Sequence, residues 1–237
     1  MRSEHDIAVR AEGLGKCYKS YPDATGRLVE LLSGGRAKRH TEKWAVQDIS
    51  FDLSRGSALG VIGANGAGKS TLLKMITGIT TPTTGRVEIN GRLSSLLELG
   101  AGFHPSFSGR DNVFMNAAVM GIPKARVKTQ LDDIVAFADL GEYLEHPVRT
   151  YSSGMAMRLG FAVAMMANPD ILILDEVLAV GDHAFQQKCM ERISEIRRSG
   201  TTVLFVSHAI SQVRRICDRC LWVHDGRVVM AGDPTSV

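Results

Sequence analysis

Hydrophobic and polar positions follow two periods along this chain. Ile7–Val9 alternates and predicts a short strand; Ile49, Phe51 and Leu53 alternate with Ser50, Asp52 and Ser54 and predict a second, half-buried one. Between them, Ser20–Lys43 carries Pro22, Gly26, the pair Gly34-Gly35 and a basic cluster at Arg36, Lys38, Arg39 and His40. It reads as an insertion or long loop with a short helix at Leu28–Leu32. Its basic tip is either simply solvated or a contact for lipid head groups or an acidic partner. Ala58–Ile62, Ile171–Leu174 and Val203–Val206 are unbroken apolar runs, the pattern of strands buried on both faces. Val87 and Ile89 alternate with Arg86, Glu88 and Asn90, and Asn90-Gly91 predicts a hairpin turn with Leu93–Leu99 as the return strand. A second hairpin is expected from Leu221–Val223, the Asp225-Gly226 turn and Val228–Met230.

The longer period marks helices. One is expected over Lys69–Thr77. Ser108 with Asp111 gives a capping-box-like start to a helix reaching Met120, and Pro123 suits the first position of the next. There Val127, Leu131, Ile134, Val135 and Ala138 share one face. Ser153–Met166 is a third helix whose methionines at 155, 157, 165 and 166 read as core filling. Ala184–Arg198 is amphipathic, with basic residues at its end and Gly200 beyond. Strands alternating with helices predict an α/β fold around a largely parallel sheet, and the two successive helices between Ser108 and Leu140 predict a separate helical subdomain.

Composition adds little to this picture. Hydrophobic residues make up 44% and charged residues 22%, as in ordinary globular chains, and a net charge of +3 does not by itself argue for nucleic acid or anionic membrane as partner. Cys17, Cys189, Cys217 and Cys220 are too few and scattered for a disulfide framework, so reduced thiols in a cytosolic setting are expected. The C-x-x-C at Cys217 and Cys220 has only His224 close by; it reads as one cysteine on a helix and one entering a strand rather than a metal site. Met1–Ala11 lacks the apolar core of a signal peptide, and no run of about 18 apolar residues is present, so a membrane role requires a partner.

The chemistry concentrates at three predicted strand ends. Gly63, Ala64, Asn65, Gly66, Ala67, Gly68, Lys69 and Ser70 match G-x-x-x-x-G-K-[ST], with Thr71 next. Glycines let successive N–H groups turn inward as a nest for phosphate oxygens, and the helix beginning at Lys69 adds its positive end. Lys69 would reach the β and γ phosphates, and Ser70 would offer a hydroxyl to Mg²⁺. The second strand end carries Asp175 and Glu176, a metal-side acid and a general base for the attacking water; two solvated acids closing a strand is the other reading. The third carries Ser207-His208, where His208 would bond the γ-phosphate. Ligands of α/β sheets bind outside such carboxyl ends.

At this point the chain resembles the ATPase subunits of ABC transporters, over about Ile7 to Gly232. Tyr151-Ser152-Ser153-Gly154-Met155 occupies the place of that family's LSGGQ signature, agreeing at Ser152 and Gly154 and departing at Tyr151, Ser153 and Met155. Ala179-Val180-Gly181-Asp182 resembles the D-loop and His208 the switch histidine. Tyr18 stands where an adenine-stacking aromatic is expected, with Tyr21 and Trp44 as further candidates. The resemblance implies one ATPase domain over 1–237: a P-loop core with a largely parallel sheet over about 1–102 and 168–237, an antiparallel β subdomain, and an inserted helical subdomain over about 103–167. It implies ATP and Mg²⁺ as cofactors and a homodimer sandwiching two ATPs, each P-loop facing the other copy's Tyr151–Met155 segment. It also implies a polytopic transmembrane permease that holds the chain at the cytoplasmic face of the membrane.

The signature, the run from Leu96 to Pro105 and the Leu178–Asp182 segment are similar to exporters of O-antigen, teichoic acid and capsule. A lipid-linked polysaccharide would then be the cargo, not bound directly by this domain. Glu98 is the nearest match to the glutamine that touches Mg²⁺ in most relatives. The C-terminal sugar-binding domain of some O-antigen exporters is absent from these 237 residues or was removed. The competing reading is a soluble ABC ATPase acting on DNA or ribosomes. Against it, the chain has one nucleotide site, and the roughly 80 residues between P-loop and signature show no sustained heptads. A GTPase would need an N-K-x-D motif, which the sequence lacks.

Overall fold

The computed structural model describes residues 6–34, 38–96, 102–175 and 182–237. Its elements run β1 (Ile7–Ser20), α1 (Ala24–Leu32), β2 (Thr41–Ser54), β3 (Ala58–Ile62), α2 (Lys69–Ile76), β4 (Thr84–Ile89), β5 (Leu93–Ser95), α3 (Gly109–Val119), α4 (Lys124–Ala138), α5 (Ser153–Met166), β6 (Ile171–Leu174), α6 (His183–Arg198), β7 (Thr202–Val206), α7 (Ile210–Ile216), β8 (Arg219–His224) and β9 (Arg227–Gly232). Two 3-10 turns, Gly141–Glu145 and Val148–Thr150, precede α5. The chain separates into two compact units. One comprises Met1–Ser54, Leu59–Asn90 and Ser207–Val237; the other comprises Arg55–Ala58 and Gly91–Val206.

In the first unit β1 is the centre of an antiparallel sheet of order β2-β1-β4. Both long strands exceed the sequence expectation. Ile7–Val9 is only the buried start of a 14-residue strand, and the supposed loop Ser20–Lys43 shrinks to α1 and its flanks. Ala11, Leu14 and Val46 within the extra length are buried but irregularly spaced, and the far ends Tyr18–Ser20 and Thr41–Trp44 are exposed, so no alternation marked it. Cross-strand pairing holds it, with Cys17 opposite Trp44, Tyr18 opposite Lys43 and Ser20 opposite Thr41. Asp23 caps α1. Glu30 on α1 accepts from His40 Nδ1 at 2.8 Å and from the Arg39 N–H at 3.0 Å, so part of the basic cluster is tied down; Arg36 lies outside the described residues. The unit's other strands are β3, paired parallel with β8, and β9, which returns antiparallel to β8 as its Asp225-Gly226 turn predicts.

The second unit holds β5, β6 and β7, all parallel. Every residue of β6 and β7 is buried, which explains their unbroken apolar sequences. The expected hairpin at Asn90-Gly91 does not form. The Asn90 N–H donates to Ala8 O at 2.9 Å and its side chain to Ile7 O at 3.0 Å, extending the β4–β1 pairing. Leu93–Ser95 instead runs parallel to β6, with Leu93 opposite Ile171. Leu97–Leu99 lie outside the described residues.

The helical layer follows its periodicity. Val127, Leu131, Ile134 and Ala138 of α4 are buried with Val113 and Ala117 of α3 and Leu159 and Val163 of α5. Each large aliphatic side chain buried this way contributes roughly 1.5–3 kcal/mol. From Leu159 to Met166 every residue of α5 is buried, so Met165 and Met166 do fill core, whereas Met155 and Met157 are half-buried. Ser108 caps α3 by accepting from the Asp111 N–H at 3.0 Å, and Pro123 sits at the cap of α4, one position earlier than expected.

Candidate functional site

The first unit builds the phosphate loop between β3 and α2. Gly63 must be glycine because a Cβ there would lie 2.3 Å from Val223 O. Gly68, at the cap position of α2, has φ 105°, and a Cβ there would lie 2.2 Å from Ala45 O. The loop is backed from behind: Gly226 N–H donates to Ala67 O at 3.0 Å, and Gln47 N–H to Gly226 O at 2.7 Å. Ala67 is buried, while Ala64, Asn65 and Gly66 face solvent. No side chain caps α2, which leaves the N–H groups of its first turn to the loop. Lys69 is only 6% exposed; its ammonium folds back onto the loop, donating to Gly63 O at 2.8 Å and Ala64 O at 3.1 Å. Ser70 is exposed and Thr71 half-buried on the first turn. A glycine-rich turn, a helix start without a side-chain cap and an ammonium beside both are the parts from which anion cradles are built.

His208 belongs to the same unit and is exposed. The residue before it, Ser207, is buried and organises the turn. Its N–H donates to Val61 O at 3.2 Å on β3, and its hydroxyl accepts from the Ala209 N–H at 3.0 Å. Ser207 was not singled out from the sequence, although a serine closing an apolar strand is a known turn former. Of the aromatic candidates, Tyr18 is 43% exposed on β1, with the Lys16 ammonium 5.5 Å from its ring centre. Trp44, 38% exposed, directly precedes Ala45, whose carbonyl oxygen abuts Gly68. Tyr21 instead leans on His40, ring centres 5.6 Å apart.

The second unit carries the other motifs. Asp175 is the first partly exposed residue after the four buried ones of β6. Glu176 and Glu98 lie outside the described residues. Ser152 caps α5, accepting from the Met155 N–H at 3.2 Å, so Ser152 and Ser153 stand exposed at the helix's positive end, with Gly154 in its first turn. Asp182 is exposed and caps α6, accepting from the Phe185 N–H at 2.8 Å. A cavity of about 350 Å³ opens between α4, α5 and α6, floored by Ile134, Phe137 and Met165 and rimmed by Asp133, Lys188 and Glu191. Among the described residues, no motif residue lines it. The loop carries an ammonium beside a helix start without a side-chain cap, whereas the cavity offers mixed charges over an apolar floor.

A buried strand, this loop and the helix behind it define a P-loop nucleotide-binding domain. Comparison with known proteins narrows the class. Residues 46–179 match the ABC transporter family. The chain is 48% identical over 218 residues to the O-antigen export system ATP-binding protein RfbB of Myxococcus xanthus, covering 92% of this chain and 50% of that protein. It is 50% identical over 211 residues to the protein of the same name from Klebsiella pneumoniae, covering 89% and 83%. It is 40% identical over 234 residues to the teichoic acids export ATP-binding protein TagH of Levilactobacillus brevis, covering 99% and 64%. The chain thus spans half the length of the Myxococcus relative and less than two thirds of TagH. Among solved structures, a dimeric post-hydrolysis ATP-binding cassette bound to ADP and Pi superposes with a TM-score of 0.76 at 20% identity, covering 95% of this chain and 98% of that one. The chain belongs to the ABC transporter family.

Proposed function

We propose that this chain is the ATP-binding and ATP-hydrolysing subunit of an exporter of a lipid-linked polysaccharide such as O-antigen. The observation that carries the ATP reading is the uncapped start of α2 with Lys69 folded over the loop, which suits a polyphosphate. The export reading is supported by the names of the relatives and by the altered signature at Tyr151–Met155. Lys69 and the N–H groups of residues 63–71 bind the phosphates, and Tyr18 stacks on adenine. Ser70 and Asp175 are exposed or partly exposed oxygen donors of the hard type that Mg²⁺ takes, with Glu98 as a further candidate. When bound, the ion would offset charge on the phosphates. Glu176 accepts a proton from the water that attacks the γ-phosphorus as the bond to ADP breaks, and His208 holds the γ-phosphate.

Two copies of the chain pair about a two-fold axis, each offering its Tyr151–Met155 segment and Asp182 to the other's nucleotide. Among the described residues no helix is long and apolar enough to cross a membrane. In this reading, which the export-system names of the relatives support, a polytopic permease holds the pair at the cytoplasmic face and carries the polysaccharide, and nucleic acid has no part in the cycle. The test is Glu176→Gln. The variant should bind ATP, lose turnover by at least about 100-fold and accumulate as an ATP-dependent dimer. Turnover at the native rate would show that the base lies elsewhere. Affinity capture from membranes should yield a polytopic subunit; ribosomes or DNA in its place would favour a soluble ABC ATPase.

A further inference from the structure

Tyr151 departs from the family signature, and its contacts give it a separate task. It closes the 3-10 turn Val148–Thr150, its N–H donating to Val148 O at 2.9 Å, and stands directly before Ser152, the cap of α5. Its hydroxyl donates to Tyr143 O at 2.7 Å, in the other 3-10 turn. Beside that hydroxyl lies Gly109, the buried first residue of α3. A Cβ on Gly109 would sit 2.1 Å from the phenol oxygen and 3.0 Å from Leu144 O. The corner is tied further by Gly109 N–H to His146 O at 3.2 Å and by Arg110, which donates to Glu145 Oε1 at 2.8 and 2.6 Å. Burial, joined by the charge of Glu145, pushes the phenol above its ordinary pKa, so it is a neutral donor at neutral pH.

One side chain thus joins the starts of α3 and α5 to the turn between them. We propose that Tyr151 is a positioning residue: its hydroxyl, seated in the space left by Gly109, fixes where the α5 N-terminus presents Ser152–Met155 to the partner copy's nucleotide. This rests on the shared-site reading above. An apolar side chain at 151 could fill the space but could not grip the Tyr143 carbonyl, and the helix end would be free to shift. Transition-state contacts are lost when a donor is misplaced by about 1 Å.

The test uses the full chain carrying Glu176→Gln, with dimerisation followed by sedimentation during ATP titration and nucleotide binding to the monomer followed with a fluorescent ATP analogue. Tyr151→Phe should weaken dimerisation up to about tenfold, the loss of one hydrogen bond, while the Tyr143 carbonyl keeps the His146 N–H at 2.9 Å. Binding of the analogue to the monomer's own phosphate loop should stay within about twofold. Gly109→Ala should reproduce the defect by expelling the hydroxyl. The double variant should lose less than the sum of the two single losses, because removing the oxygen relieves the methyl's shortest contact while its 3.0 Å approach to Leu144 O remains. A merely structural role predicts the opposite: analogue binding and thermal stability fall together, and the two losses add. Dimerisation of Tyr151→Phe at the parent's ATP concentration would overturn the inference. If the Glu176→Gln parent itself fails to dimerise with ATP, the shared-site reading fails and this inference falls with it.

Discussion

Gly68→Ala tests whether the phosphate loop is held by its own sequence or by the strand behind it. Two penalties arise. At φ 105° a residue with a Cβ is strained by about 1–3 kcal/mol. The new methyl would also lie 2.2 Å from Ala45 O and 3.3 Å from Val46 Cγ2, so loop or strand must give way by roughly 1 Å. The strand is poorly placed to yield. Ala45 O also packs against Gly226, where a Cβ would come within 2.9 Å, and Gly226 is itself bonded to Ala67 and Gln47. Overpacking of this kind adds about 1–3 kcal/mol.

Gly66→Ala isolates the first penalty. Gly66 also has positive φ, 83°, yet nothing lies within 4 Å of its would-be Cβ. In urea unfolding, Gly68→Ala should be less stable than Gly66→Ala by about 1–3 kcal/mol, with the m-value unchanged. Lys69 follows Gly68 directly, and Leu72 N–H donates to Gly68 O at 2.9 Å, so a displaced Gly68 also drags the start of α2. Gly68→Ala should therefore lose affinity for a fluorescent ATP analogue by at least about tenfold relative to the parent. Equal urea midpoints for the two alanine variants would refute the claim that β2 braces the loop.

Asn112 is fully buried; its side chain accepts from the His104 N–H at 2.6 Å and donates to His104 O, Phe107 O and Ser108 O. Asn112→Ala should cost about 3 kcal/mol in urea unfolding, since several buried groups lose their partner at once. The Asp170 carboxylate is held below its usual pKa, first by the Arg92 N–H at 2.7 Å and then by the charge of Arg92, against the opposing effect of burial. A depressed folded pKa stabilises above the unfolded value, about 3.9, and that contribution is lost as pH falls through the folded one. Asp170→Asn should accordingly flatten the acid limb of a stability–pH curve below about pH 4 and leave the neutral region's slope unchanged. Burial pushes the Cys189 thiol up to about 12, so iodoacetamide near pH 8 should label the half-buried Cys17 while leaving Cys189 intact until the chain unfolds; early labelling of Cys189 would show that α6 opens locally.

What could be read from the sequence depended on the range of the forces involved. Apolar runs such as Ile171–Leu174 and the 3.6-residue stripe of α4 state their own burial, and both became the expected elements. Helix ends were legible where one side chain caps them, as Ser108 does for α3. The arms of β1 and β2 were not, because exposed polar strands are held by partners distant in sequence rather than by a local pattern. At Asn90-Gly91 a local turn signal lost to long-range bonds from Asn90 to Ile7 and Ala8. The seven residues of α7 are too few, and too rich in arginine, for a period to show.

The same distinction runs through the candidate site. The residues of the phosphate loop specify a nest and a helix start, which is why the motif announces phosphate binding from sequence alone. Their placement depends on Ala45, Val223 and Gly226, which lie far along the chain and contact the loop through backbone atoms, so their side-chain identities carry little signal. The signature segment shows the complementary case. Ser152 and Gly154 could be matched by type, whereas Tyr151 could only be recorded as a departure. Its meaning appears when Gly109 is seen beside it: a phenol at 151 needs a residue without a Cβ at 109, and a glycine opening α3, otherwise a cost of about 1 kcal/mol against alanine, gains a reason. The two positions constrain each other, so tyrosine at 151 paired with any larger residue at 109 would force the hydroxyl off the Tyr143 carbonyl and leave the start of α5 without its brace.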